Sequence, residues 1–316
     1  MTRRPTILIY HEQVDEIWAG LRDAGIDAEF LFASNLAQAR AQSSRADALV
    51  ALDPEITEDL VSGPRLRWIQ ALTSGMERVL GMPGIADGVA LTSMRGAHGP
   101  QVSELAFLLM LAVARRFPAM VDNQRRRVWD HWRQPPLYQR TVTIVGVGAI
   151  ASALAPRCKA FEMTVIGVDD RASEAPHFDR IYPPGQLHEA LAAADFVVLL
   201  VPHVPATHHL IDAPALAAMR PHAILINVAR GAIVDEAALI DALQHGTIAG
   251  AGLDVFATEP LPPESPLWAM DNVTVTPHVG GNSTSYIQQM NGTLVHNLRA
   301  FVDGRDGDLR NRIERV

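Results

Sequence analysis

Cysteine is nearly missing from this chain: Cys158 is the only one, so no intrachain disulfide can form. A single cysteine on an apolar helical stretch reads as a small core residue rather than a nucleophile. Histidine and cysteine nowhere fall at metal-ligand spacing, which excludes a metal centre of ordinary type. His208 and His209 are adjacent and are expected to point apart on regular structure. Lysine is almost absent too, with Lys159 alone; this is compositional bias without functional content. The net charge of −8 argues against a nucleic-acid partner held by counterion release. The Arg125-Arg126-Arg127 run is short and sits in helix-like text, where it suits a solvated face or an interface. Long apolar runs are lacking as well. Leu105–Ala114 is too short to span a membrane, and Met1-Thr2-Arg3-Arg4-Pro5 leads straight into a strand with no apolar signal region. A cytoplasmic protein without nucleic-acid or membrane partners is the expectation.

What is present is enough apolar text, 48% of 316 residues, for two α/β domains. Strand-like runs alternate with helical patterns from the start: Ile7–Tyr10 then Val14–Ala24, Ala28–Phe32, Ala48–Leu52 then Ile56–Val61, Trp68–Ala71, and Val89–Thr92. Such alternation implies a parallel sheet with crossover helices. Gly99–Arg116 reads as one helix with apolar residues on most faces, which predicts burial, as a link between domains or a subunit interface. From about Ser283 to Asp303 the text is helical again, and no further strand is expected after it. The simplest topology returns this last helix to the first domain.

The nucleotide signature comes late. An apolar strand, Thr141–Val145, runs into Gly146-Val147-Gly148-Ala149-Ile150-Ala151, and a helical pattern follows through Phe161. A second strand, Thr164–Val168, ends at Asp169, about 20 residues beyond the glycines, the spacing of a dinucleotide-binding unit. Gly146 permits the tight turn, Gly148 lets the backbone approach a pyrophosphate at the helix N-terminus, and Ala151 takes the close-packing position. Asp169 would accept hydrogen bonds from ribose hydroxyls and repel a 2′-phosphate, which favours NAD over NADP. Arg171 pulls the other way.

Three polar side chains then punctuate apolar text: Arg230, Glu259 and His278, each after a β-rich run (Ala223–Asn227, Ile248–Val255, Val273–Thr276). Ligands bind at the carboxyl ends of strands in open parallel sheets. A cation, a carboxylate and an imidazole delivered there suit acid–base chemistry on a small anionic substrate, although any one alone could be an ordinary loop residue.

Together these residues resemble the D-2-hydroxyacid dehydrogenase family over nearly the whole chain. The resemblance also rests on Thr73-Ser74-Gly75-Met76, Val102-Ser103-Glu104-Leu105-Ala106, Pro202–Thr207, Asn227-Val228-Ala229-Arg230-Gly231, Val234-Asp235-Glu236-Ala237-Ala238-Leu239, Leu253-Asp254-Val255-Phe256, Glu259-Pro260-Leu261-Pro262 and Thr276-Pro277-His278. It implies two Rossmann-like doubly wound domains, the nucleotide domain (97–282) inserted into a discontinuous substrate domain (1–96 and 283–316), with the active site in the cleft. It implies hydride transfer between NAD and C2 of a small 2-oxo or D-2-hydroxy acid, of glyoxylate or hydroxypyruvate type. Arg230 would hold the substrate, His278 carry the proton and Glu259 orient it. The backbone around Ser74, Gly75 and Met76 would bind the carboxylate. Gly146, Gly148, Ala149, Ile150, Asp169, Pro202, Thr207, Val228, Ala229 and Asp254 would bind the cofactor, NADP being less favoured. A homodimer through the nucleotide domain is expected. Ala149 stands where the family often carries Arg, Glu162 where Gly is usual, and His203 at a variable position. The family's long phosphoglycerate dehydrogenases carry a regulatory domain for which no room is expected here. Other readings on this scaffold are a dehydrogenase for formate or phosphite and an NAD-sensing corepressor.

Overall fold

The computed structural model describes residues 3–314. In chain order they form β1 (Thr6–Tyr10), α1 (Val14–Leu21), β2 (Glu29–Ala33), α2 (Leu36–Ser43), β3 (Ala48–Ala51), α3 (Glu58–Val61), β4 (Trp68–Ala71), α4 (Glu77–Leu80) and β5 (Ala90–Thr92). There follow α5 (Gly99–Arg115), α6 (Phe117–Arg126), β6 (Thr141–Val145), α7 (Ala149–Ala160), β7 (Thr164–Val168), β8 (Arg180–Tyr182), α8 (Leu187–Ala193), β9 (Phe196–Leu199), α9 (Ala213–Ala218), β10 (Ile224–Asn227), α10 (Glu236–Gln244), β11 (Gly250–Leu253) and β12 (Val273–Val275). The chain closes with α11 (Tyr286–Val302) and β13 (Arg312–Ile313). The chain divides into two compact units, one taking it up to His98 and again from Thr284, the other running Gly99–Ser283.

The first unit holds a sheet in the order β13-β5-β4-β3-β1-β2. Alternate residues along a strand face opposite sides, and both sides are covered here. Leu8, Leu49 and Ile69 pack with Ala39, Leu60 and Val79. Ile7, Ile9, Val50 and Trp68 pack with Ile17, Leu294, Leu298 and Phe301. This is why the central strands read as unbroken apolar runs. Each fully buried aliphatic side chain contributes roughly 1.5–3 kcal/mol. β13 corrects the expectation of no further strand: Arg312 and Ile313 pair antiparallel with Thr92 and Leu91. Two residues carry no periodicity to read.

In the second unit the sheet is parallel throughout, in the order β12-β11-β10-β9-β6-β7-β8. Strand order reverses between β6 and β9, the switch point at which dinucleotides bind in doubly wound sheets. α5 and α7 cover one face, placing Val102, Ala106, Leu109 and Leu154 against Val142, Ile144, Val198 and Ile226. α8, α9 and α10 cover the other, with Ala190, Leu216 and Leu239 against Val145, Val197 and Leu225.

Helix α5 is not buried all round within this chain. Leu105, Phe107 and Leu111 are half-buried and Leu108 is 54% exposed. Helix α6 buries no residue, and beyond it Trp129 is 97% exposed. An apolar composition on every face predicted burial that the rest of the chain supplies on one side only. Among the described residues no helix is long and apolar enough to cross a membrane.

Candidate active site

The glycine loop is shaped by contacts that leave no alternative residue. Gly146 has φ +99°, and a Cβ there would stand 2.9 Å from the Leu200 carbonyl carbon and the Val201 nitrogen. Next to it, Val147 N–H donates to Asp169 Oδ2 at 2.8 Å. Asp169 Oδ1 accepts from the N–H groups of Arg171 and Ala172, each at 2.9 Å. Burial pushes the Asp169 carboxyl up, but these three backbone donors outweigh it and hold the group below the usual carboxylate range. Asp169 therefore pins the glycine loop to the end of β7, a task the sequence reading did not foresee.

Gly148 is the N-cap of the 12-residue helix α7, with no side-chain cap and nothing within 4 Å of where a Cβ would stand. Ala149 is exposed, Ile150 half-buried and Ala151 buried. Uncapped amides and open space at a helix N-terminus fit a diphosphate. On the other side of the switch point, Thr207 Oγ1 donates to the Pro202 carbonyl at 2.7 Å and accepts from Val204 N–H at 2.9 Å, closing the loop after β9. His203 Nε2 lies 3.2 Å from His208 Nδ1. The His208 and His209 rings stack at 4.0 Å, against the expectation that they point apart. His209 has φ +49°, so the local backbone is not regular and neighbouring side chains can share a side. Among the described residues no group of three or more His, Cys, Asp or Glu is placed to hold a metal ion.

The loop after β10 is folded by Asn227. Its Nδ2 donates to the Arg230 carbonyl at 2.9 Å, and its Oδ1 accepts from Ala229 N–H at 3.1 Å. Val228 and Ala229 are buried. Arg230 Nη1 donates to the Ala229 carbonyl at 2.7 Å. Gly231 then lies directly on the next loop: a Cβ would fall 1.9 Å from the Phe256 carbonyl carbon. The Arg230 loop and the Glu259 loop are thus in contact.

Asp254, 2% exposed at the end of β11, organises the turn that presents His278. Its Oδ1 accepts from Thr276 Oγ1 at 2.6 Å and from Val279 N–H at 3.0 Å. Its Oδ2 accepts from Gly280 N–H at 2.9 Å, and its carbonyl from His278 N–H at 2.9 Å. His278 itself has φ +51°. Such a conformation in a non-glycine residue persists only where its surroundings over-determine it, and Asp254 supplies that hold. Glu259 meets the imidazole: its Oε2 lies 2.7 Å from His278 Nδ1, while its Oε1 accepts from Phe256 N–H at 3.0 Å. The structure thus brings Glu259 and His278 together.

Ser74, Gly75 and Met76 belong to the first unit, after β4. Thr73 Oγ1 donates to the Gly75 carbonyl at 2.7 Å. Met76 is buried. Two residues that sequence reasoning passed over hold this loop. Ser74 Oγ lies 2.7 Å from His98 Nδ1, and the His98 ring stacks on Tyr286 at 4.7 Å. The Tyr286 hydroxyl in turn donates to the Leu72 carbonyl, and burial pushes that hydroxyl's pKa up. Neither residue lies in a spacing that sequence patterns would flag, because the contact joins segments far apart in the chain.

Residues 107–280 match the family model for the D-isomer specific 2-hydroxyacid dehydrogenase, NAD binding domain, more than half of the chain. The chain belongs to this family. It is 33% identical over 310 residues to glyoxylate/hydroxypyruvate reductase B of Pectobacterium atrosepticum, covering 96% of each chain. The crystal structure of a D-isomer specific 2-hydroxyacid dehydrogenase family protein from Aeromonas salmonicida superposes with TM-score 0.91 at 32% identity, over 99% of this chain and 100% of that one. An NADPH-dependent glyoxylate/hydroxypyruvate reductase from Sinorhizobium meliloti, solved with NADP and sulfate, superposes with TM-score 0.84 at 28% identity, over 99% of each. The chain spans about half the length of the D-3-phosphoglycerate dehydrogenases that it also matches. It is an NAD(P)-dependent 2-hydroxyacid oxidoreductase with two parallel-sheet α/β domains.

Proposed function

We propose that this dehydrogenase reduces a small 2-oxo acid, of glyoxylate or hydroxypyruvate type, with NADH. The observation that carries the reading is the 2.7 Å contact between His278 Nδ1 and Glu259 Oε2. An ionised carboxylate only accepts, so Nδ1 carries a proton and donates it to Glu259. Nε2 is then the nitrogen that carries the transferable proton. In reduction it protonates the oxygen on C2, and Glu259 holds the ring in the orientation for the transfer. NADH, when bound, would supply the hydride to C2. Side-chain exposure of 46% lets solvent reprotonate His278 between turnovers.

Arg230 holds the substrate carboxylate and polarises the 2-oxo oxygen, for which its planar fork suits paired contacts. The backbone around Ser74, Gly75 and Met76 is suited to a carboxylate, which makes the first unit the substrate-binding domain. For the cofactor, Gly148, Ala149 and Ile150 offer helix N-terminal amides to the diphosphate, with Gly146 shaping the turn. Asp169 would take the ribose hydroxyls, Pro202 and Thr207 would line the adenosine end, and Val228, Ala229 and Asp254 would support the nicotinamide end. The Asp169 carboxylate meets like charge in a 2′-phosphate, so NADH is preferred, with Arg171 moderating the preference. Leu108 on α5 and Trp129 beyond α6 are too apolar to face water, which supports a homodimer through this unit. The test is turnover of NADH and NADPH with a panel of 2-oxo acids. Glyoxylate or hydroxypyruvate should oxidise NADH fastest; no oxidation with any 2-oxo acid would overturn the reading.

A further inference from the structure

We infer that Glu236, in the first turn of α10, is a positioning residue for the Glu259–His278 pair; the inference rests on the catalytic reading above. The two members of that pair are held by different means. The His278 turn is fixed from within by Asp254. The Glu259 segment has no such internal anchor. Phe256 and Leu261 are buried, but the residues between them, Ala257 to Pro260, are all exposed. Glu259 Oε1 bonds the Phe256 amide of its own loop, which fixes the side chain to the loop but not the loop to the unit. The outside anchor is Glu236 Oε2, which accepts from Ala257 N–H at 3.0 Å.

Glu236 is itself well placed to act as a fixed point. Asp235 is the N-cap of α10, and its side chain accepts from Ala238 N–H, so the helix start is locked. Upstream, Gly231 presses on the Phe256 carbonyl, and the Arg230 turn that precedes it is closed by Asn227. One short stretch, Asn227 to Glu236, therefore carries Arg230 and anchors the loop that carries Glu259. This gives a physical reason for the sequence Val234-Asp235-Glu236-Ala237-Ala238-Leu239: Asp235 caps, Glu236 reaches across, and Leu239 is buried.

Loss of the Ala257 anchor lets Glu259 drift from His278. The ring then loses part of what holds its orientation, and proton delivery slows. The groups around the ring are Glu259 in direct contact, Asp254 on the neighbouring amides, Arg230 on the adjoining loop and Glu236 behind Ala257. Reach and charge must therefore be separated. Glu236→Gln keeps an acceptor at the same reach without charge. Glu236→Asp keeps the charge and withdraws the acceptor. Glu236→Ala removes both.

Steady-state reduction of hydroxypyruvate or glyoxylate across pH 5–9, with NADH binding measured by fluorescence, reads the outcome. Glu236→Ala and Glu236→Asp should lower kcat by about 10-fold, the cost of a small misplacement, with NADH affinity unchanged. Glu236→Gln should match the parent. Parental kcat in both Ala and Asp variants would overturn the inference, as would a Gln variant as damaged as Ala. His278→Ala measured alongside separates the two levels: if it keeps parental kcat, the catalytic reading fails; if it collapses while the Glu236 variants do not, only this inference fails.

Discussion

The two sheets share a topology and differ in what their switch points contain. Strand order reverses between β1 and β3 in the first unit and between β6 and β9 in the second. At the second, the strand end is Gly146, the following helix is capped by Gly148, and the cap leaves space and amides. At the first, the ends of β1 and β3 carry Tyr10, His11 and Asp53, all buried. His11 Nδ1 accepts from Gln13 N–H at 2.9 Å, and Asp53 accepts from the amides of Arg78 and Val79. Burial lowers the His11 pKa and raises that of Asp53. The strand ends there are occupied by the unit's own buried side chains, and the Asp53 carboxylate already has backbone donors. Topology places a crevice, and the loop residues decide whether a nucleotide can enter it.

The largest way to break this contrast is Gly146→Ala. Left-handed strain and overpacking against Leu200 and Val201 together cost about 2–5 kcal/mol. The loop must move to relieve them, so NADH affinity should fall by roughly 30-fold or more. His11→Ala at the other switch point should leave NADH affinity unchanged, and fluorescence titration of both variants compares them directly. Next in size is Arg230→Lys, which keeps charge but loses the fork. Its kcat/KM for the 2-oxo acid should drop by about 10-fold, or about 1.4 kcal/mol. Parental kinetics would remove the paired contact from the account. Asp169→Ala sharpens the comparison further. The parent should prefer NADH over NADPH by at least about 10-fold in kcat/KM, and the variant should narrow that gap, mainly through NADH. Equal use of both by the parent would place control with Arg171.

The smallest effect concerns the filled crevice. The folded-state pKa of His11 lies below its ordinary value of 6.5, so the folded protein takes up this proton less readily than the unfolded chain. The stability involved is complete above pH 6.5 and is lost as pH falls through the folded value. His11→Gln removes that loss, so Tm should decline less than the parent's between pH 7 and about pH 5. Parallel declines would mean that His11 charges as freely folded as unfolded.

The parallel strands were legible because sheets covered on both faces need continuous apolar text. The glycine loop and the three polar punctuation marks were legible because strand ends are where chemistry collects. What escaped the sequence was mostly side chain to backbone bonding. Asp169 was read as a ribose acceptor and also braces the glycine loop. Asp254 was read as a cofactor residue, and its carboxylate holds the His278 turn. Glu236 was only a letter in a motif. Glu162, at a position where glycine is usual, has φ +56°, the left-handed conformation that glycine adopts without strain. Two-residue β13, and α5 with a face left open, show where short elements and single-chain burial defeat periodicity.

The central claim is that proton transfer at C2 runs through His278, set by Glu259. The most direct test is kcat for 2-oxo acid reduction by His278→Ala, with NADH affinity measured on the same preparation. Loss of a general acid should lower kcat by about 10²–10⁴-fold while NADH binds as tightly as in the parent. A variant that keeps parental kcat would contradict the account and move the proton carrier elsewhere.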